Sequence, residues 1–63
     1  MNSNQKTNAI NKLMNTSVDD CKINLTHYSD PGLLCDLLIE CRAENEKTRE
    51  KYVRQRISYL IKN

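Results

Sequence analysis

Apolar side chains enter this chain late and in short bursts. Ala9, Ile10, Leu13 and Met14 recur at i, i+1, i+4 and i+5, the narrow stripe of a short amphipathic helix over about residues 8–15. The stretch before it is polar and rich in asparagine (Asn2, Asn4, Asn8), so residues 1–7 read as a flexible tail. Asn15-Thr16-Ser17 ends the helix, because these side chains compete for nearby backbone groups and favour caps and turns. Residues 17–28 carry two patterns. Ser17 with Asp20 resembles a capping box in which Asp replaces Glu, and Val18, Cys21, Leu25 and Tyr28 then share a helical face. Against that, Cys21, Ile23 and Leu25 alternate with Lys22, Asn24 and Thr26 as a strand would. A lone strand finds no pairing partner in the rest of the chain, so helix is preferred.

Ser29-Asp30-Pro31 is the strongest local signal. Asp30 can accept the orphan amides of a first turn, and Pro31 has its φ preset for the first helical position, where its missing N–H does no harm. From Leu33 to Ile61 there is no glycine or proline, and Arg42 to Lys51 are mostly good helix formers. Propensity alone therefore predicts one helix roughly 45 Å long. The apolar pattern divides it. At about 100° per residue, Leu34, Leu37, Leu38 and Cys41 centre on one direction, while Val53, Ile57 and Leu60 centre about a third of a turn away. Either the helix is continuous with two separate patches, or it breaks near Glu44 to Thr48 into a hairpin, with Asn45 as a left-handed stop and Thr48 as a new N-cap. The continuous form is narrowly favoured. The expected fold is all-α: a short N-terminal helix or helices, then a long C-terminal helix or helical hairpin, as one domain over residues 8–63.

Size sharpens this picture. At 63 residues and 7.4 kDa, a chain folding alone hides only about 60% of its unfolded surface and has no room for a deep pocket. An ordinary enzyme is not expected on that ground. Both apolar clusters spread around more of the helix than one short neighbour can cover, which points to burial against a second copy. In an antiparallel dimer crossing near Glu46, the 33–41 cluster meets the 52–61 cluster of the partner, and a hairpin dimer forms a four-helix bundle by other connections. The candidate interface is Leu34, Leu37, Leu38, Cys41, Tyr52, Val53, Ile57, Leu60 and Ile61.

A net charge of +2 is too weak to imply a nucleic-acid or membrane partner by bulk attraction. Its distribution matters more. Asp36, Glu40, Glu44 and Glu46 outweigh Arg42, whereas Lys47, Arg49, Lys51, Arg54, Arg56 and Lys62 face only Glu50. On a helix Lys47, Lys51, Arg54 and Lys62 fall in one arc and Arg49 and Arg56 in another. Lys47, Arg49, Lys51, Arg54 and Arg56 are therefore the candidate nucleic-acid contacts, with Tyr52 and Tyr59 available to stack on bases.

The remaining chemistry is thin. Cys21, Cys35, Cys41 and His27 make up the ligand types of a zinc site, but they lack the close pairs that structural zinc usually takes. Cys21, His27 and Asp30 have no glycine-rich turn or second layer to hold them for nucleophilic catalysis. No cofactor is expected. The opening residues lack the apolar core of a signal peptide, and no run approaches the roughly 20 apolar residues that cross a bilayer. Three cysteines without an export signal fit a reducing compartment. The chain is thus expected to be soluble and cytoplasmic.

The asparagine-rich head MNSNQKTNAINK and the charged tail ENEKTREKYVRQRISYLIKN resemble the short early-gene proteins of temperate lambdoid phages, those encoded between exonuclease and excisionase. The resemblance implies a helical, oligomeric accessory protein that biases the choice between lysis and lysogeny through a host or phage partner. Two functional expectations result: a non-enzymatic homodimeric regulator acting on a protein partner, or a small DNA-binding regulator using the basic C-terminal helix.

Overall fold

The structure, a computed structural model, describes residues 2–62. Met1 and Asn63, the outer ends of the expected tail and domain, lie outside the described residues. Four α-helices follow one another: α1 (Ser3–Asn15), α2 (Val18–Asn24), α3 (Pro31–Ala43) and α4 (Lys47–Lys62), with a short 3₁₀ turn at Leu25–His27 after α2. The class is all-α, with no strand among the described residues.

Local sequence explains each boundary. Helix α1 begins well before its first apolar residue, so the expected tail is helical from Ser3. The reason is a complete capping box: the Asn2 Oδ1 accepts the Gln5 amide at 2.9 Å, and the Asn2 amide donates to the Gln5 Oε1 at 3.0 Å. Lys6 adds an ion pair with Asp36 of α3, 3.1 Å apart, which ties the polar first turns to the rest of the molecule. The Ser17 hydroxyl accepts the Asp20 amide and opens α2, so residues 18–27 are helical, α then 3₁₀, as preferred over the strand pattern, and Tyr28 is extended. Asp30 accepts from the Gly32 amide with Pro31 at the start of α3.

The long continuous helix does not form. At the end of α3 the Glu46 amide bonds back to the Cys41 carbonyl at 2.8 Å, and the Asn45 amide to the Arg42 carbonyl at 3.2 Å. This is the paired bond set of a Schellman stop, with Asn45 at φ 59° in the left-handed position that asparagine tolerates better than most residues. Asn45 plays the role expected in the hairpin alternative; Thr48 does not. The next helix starts at Lys47, and its first backbone bond runs from the Glu50 amide to the Glu46 carbonyl. Intrinsic propensity across 42–51 loses to packing, because the hairpin lets α4 lie back on α3 and on α2.

That return buries the two apolar clusters against each other within one chain. Leu13, Cys21, Leu25, Leu34, Leu37, Cys41 and Val53 form the core, with Ile10, Met14, Tyr28, Leu38, Tyr52, Ile57 and Leu60 packed around it. The Cα radius of gyration is 10.6 Å, and the scaling for compact domains also gives about 10.6 Å at this length. A second copy is not needed to cover the core.

Candidate nucleic-acid interface

Helix α4 has an inner and an outer face, and both carry positive charge. On the inner face Arg49 retains only 7% of its exposure. Its Nη1 donates to the Leu13 carbonyl at 2.7 Å and its Nη2 to the Thr16 carbonyl at 2.5 Å, while its Nε sits 3.4 Å from Glu46 Oε2. The last carbonyls of a helix have no intrahelical donor and mark the negative end of its dipole, so a guanidinium there satisfies both demands. Two turns on, Arg56 repeats the arrangement on the next segment, its Nε donating to the Tyr28 carbonyl at 3.0 Å and its Nη2 lying 3.4 Å from the Thr26 carbonyl. Arg49 and Arg56, both candidates for phosphate contact, are thus committed to closing the carboxyl ends of α1 and of the α2–3₁₀ unit.

The outer face keeps the other arc. Lys47, Lys51, Arg54 and Lys62 are all exposed and line one shallow surface with Ser58 and Gln55. Its length from Lys47 to Lys62 is about 22 Å at 1.5 Å per residue. Glu50 also lines it, shared between Arg42 at 3.4 Å and Arg54 at 3.6 Å. Of the other acidic side chains of this half, Asp36, Glu40 and Glu44 belong to α3 and its end and are exposed there, and Glu46 lies just before α4, paired with Arg49.

Beside the ridge, α4 and α2 frame an open groove of about 600 Å³, which α4 lines with Tyr52, Gln55, Arg56 and Tyr59 and α2 with Lys22. Each ring carries a cation over it: Lys22 Nζ lies 5.2 Å from the Tyr52 centroid, and the Arg56 guanidinium carbon 5.4 Å from that of Tyr59. Gln55 and Tyr59 line both the groove and the ridge. Sequence reasoning missed Lys22 and Gln55. Their signal was weak, since Lys22 reaches Tyr52 across a sequence gap that only the hairpin closes.

The expected dimer interface fares differently residue by residue. Leu34, Leu37, Cys41 and Val53 have no exposure in the single chain and lie in its core. Leu38, Tyr52, Ile57 and Leu60 are half-buried around the same core, and Ile61 is exposed at 78%. Other exposed large apolar side chains are Ile23, Ile39 and Tyr59, drawn from three different helices.

The thiols split in the same way. Cys35 is exposed, whereas Cys21 and Cys41 are buried. Burial pushes the Cys41 thiol up from 9.0 to about 11, and the Cys21 thiol also rises through burial, partly offset by its hydrogen bond and charge contact with Arg49. Cys41 donates its thiol hydrogen toward the Met14 sulfur at 3.7 Å. Among the described residues no three His, Cys, Asp or Glu side chains gather as metal ligands, and no helix is long and apolar enough to cross a membrane.

No protein-family model matches the chain, and no curated protein or solved structure was found similar to it.

Proposed function

We propose that the protein is a small non-enzymatic binding module that engages nucleic acid through the outer face of α4. The observation that carries this reading is the ridge itself: Lys47, Lys51, Arg54 and Lys62 stand exposed along one helix face, and the one carboxylate in it, Glu50, is paired with Arg54 and Arg42. Such a row can follow a phosphate backbone and release its counterions. Arg49 and Arg56 lie off this row, their guanidiniums bonded to the carbonyls of other segments, so the phosphate footprint is narrower than the charge of the helix suggests. A regulator acting on a protein partner or as a homodimer, the other expectation, is left with Ile23, Ile39 and Ile61 as exposed anchors, one on each of three helices. That is a poorer basis for association than the two apolar bands once were. The resemblance to lambdoid early proteins suits either reading, since a small regulator can act on nucleic acid or on the machinery bound to it.

Salt dependence tests the proposal. Binding of a labelled oligonucleotide should weaken linearly in log–log form with added salt, with a slope of about −2 to −4 for three or four phosphate contacts. Lys51→Ala should reduce the slope by somewhat less than about one unit and weaken all sequences alike. No binding to single-stranded or duplex nucleic acid at low salt sinks the reading.

A further inference from the structure

We infer that the groove between α4 and α2 is a base-stacking subsite and that the polymer on the ridge is single-stranded. This rests on the reading of the ridge as a phosphate track. Three observations converge on it. First, Gln55 and Tyr59 belong to both surfaces, so a strand whose phosphates follow Lys51 and Arg54 passes directly beside the groove. Second, the groove carries two aromatic rings on one helix, Tyr52 and Tyr59, and Tyr59 is 58% exposed. Rings on a basic track are the recurring platform for unpaired bases, because every base has a π-face and stacking tolerates sequence. Third, Lys22 and Arg56 lie over one face of those rings and place positive charge in the groove, which leaves the opposite faces for a base. Arg56 is itself anchored to the Tyr28 carbonyl, so the charge is in place before a ligand arrives.

The occupant that fits this chemistry is a planar heteroaromatic ring attached to an anionic chain. A duplex does not provide it, since its bases are stacked on one another and only their edges are offered. A plain polyanion provides the charge without the ring. The groove therefore distinguishes ligands that the ridge alone treats as equivalent.

The experiment is a competition by fluorescence anisotropy on the intact protein. It compares a labelled oligothymidylate of about ten nucleotides, an abasic strand of the same length and a duplex. The oligothymidylate should bind about tenfold or more tighter than the abasic strand and quench tyrosine fluorescence as it binds. Tyr59→Leu keeps bulk without an aromatic face and should erase most of that preference, while Tyr59→Phe should keep it. Gln55→Glu, a solvent-facing change, should weaken every nucleic-acid ligand by adding negative charge to the shared edge. Equal binding of the abasic and base-bearing strands overturns the stacking subsite and leaves the phosphate track standing, as does a preference for duplex. Absence of binding to all three overturns both. Circular dichroism melts of the variants confirm that each result comes from a folded protein.

Discussion

Arg49 and Lys51 are separated by a single residue on the same helix and carry the same charge, yet the molecule uses them for opposite purposes. Arg49 faces the carboxyl end of α1 and is nearly sealed from water, with two backbone carbonyls and one carboxylate around its guanidinium. Lys51 faces outward on a ridge of like charges. Chemistry reinforces the division. A planar guanidinium has five donors in a fixed fork and can bind several carbonyls at once, whereas an ammonium is compact, strongly hydrated and at ease in solvent. The two inward cations are both arginines, and three of the four outward ones are lysines. Counting positive charge on a helix therefore overstates the part available to a ligand, because some of it is spent on the protein's own helix ends.

The sharpest way to break this comparison is to remove the inward charges. Arg49→Ala leaves the Leu13 and Thr16 carbonyls without their donors and should cost about 3 kcal/mol of stability, a large share of what a domain this small possesses. Urea and thermal unfolding would measure it. Arg56→Ala, whose side chain is half-buried, should cost about 1–2 kcal/mol. If Arg49→Ala melts like the parent but loses nucleic-acid binding, the inward assignment is wrong.

A smaller effect lies in the thiols behind Arg49. Because the folded state raises the Cys41 thiol to about 11 and also raises that of Cys21, both remain protonated after the unfolded chain has begun to ionise its own. The contribution is fully present below about pH 9 and is lost as pH climbs toward 11. Urea midpoints across that range should fall more steeply for the parent than for Cys41→Ala. At neutral pH a thiol reagent should modify Cys35 promptly and the two buried thiols only on unfolding. The smallest effect on stability belongs to the outer face. Lys51→Ala and Arg54→Ala should change it by no more than about 0.5 kcal/mol, while the affinity for a labelled oligonucleotide falls.

Much of the fold was legible in local chemistry. Ser17 and Asp30-Pro31 open the helices they were expected to open, and Ala9, Ile10, Leu13 and Met14 turn toward the core as their spacing required. The start of α1 was hidden because attention to apolar periodicity passes over a polar first turn, although the Asn2–Gln5 pair that caps it stands in the sequence. The break at Asn45 was harder to read. Residues 42–51 favour helix locally, and only contacts between α3 and α4, distant in sequence, reward the turn. With the turn made, Leu34, Leu37, Cys41 and Val53 find cover within one chain, whereas a straight helix would leave them in need of an outside partner. The two cationic arcs were visible in projection. That the Arg49–Arg56 arc faces inward could have been inferred from Val53, Ile57 and Leu60 lying on the same side.

The Arg49 contact also joins positions 33 and 36 residues apart along the chain. Helix α4 is made after the other three, so during synthesis α1 waits with its carboxyl end open until its clasp has emerged. Nothing short of the four-helix unit closes that gap, and a released chain truncated before Arg49 should remain sensitive to protease throughout α1 and α2.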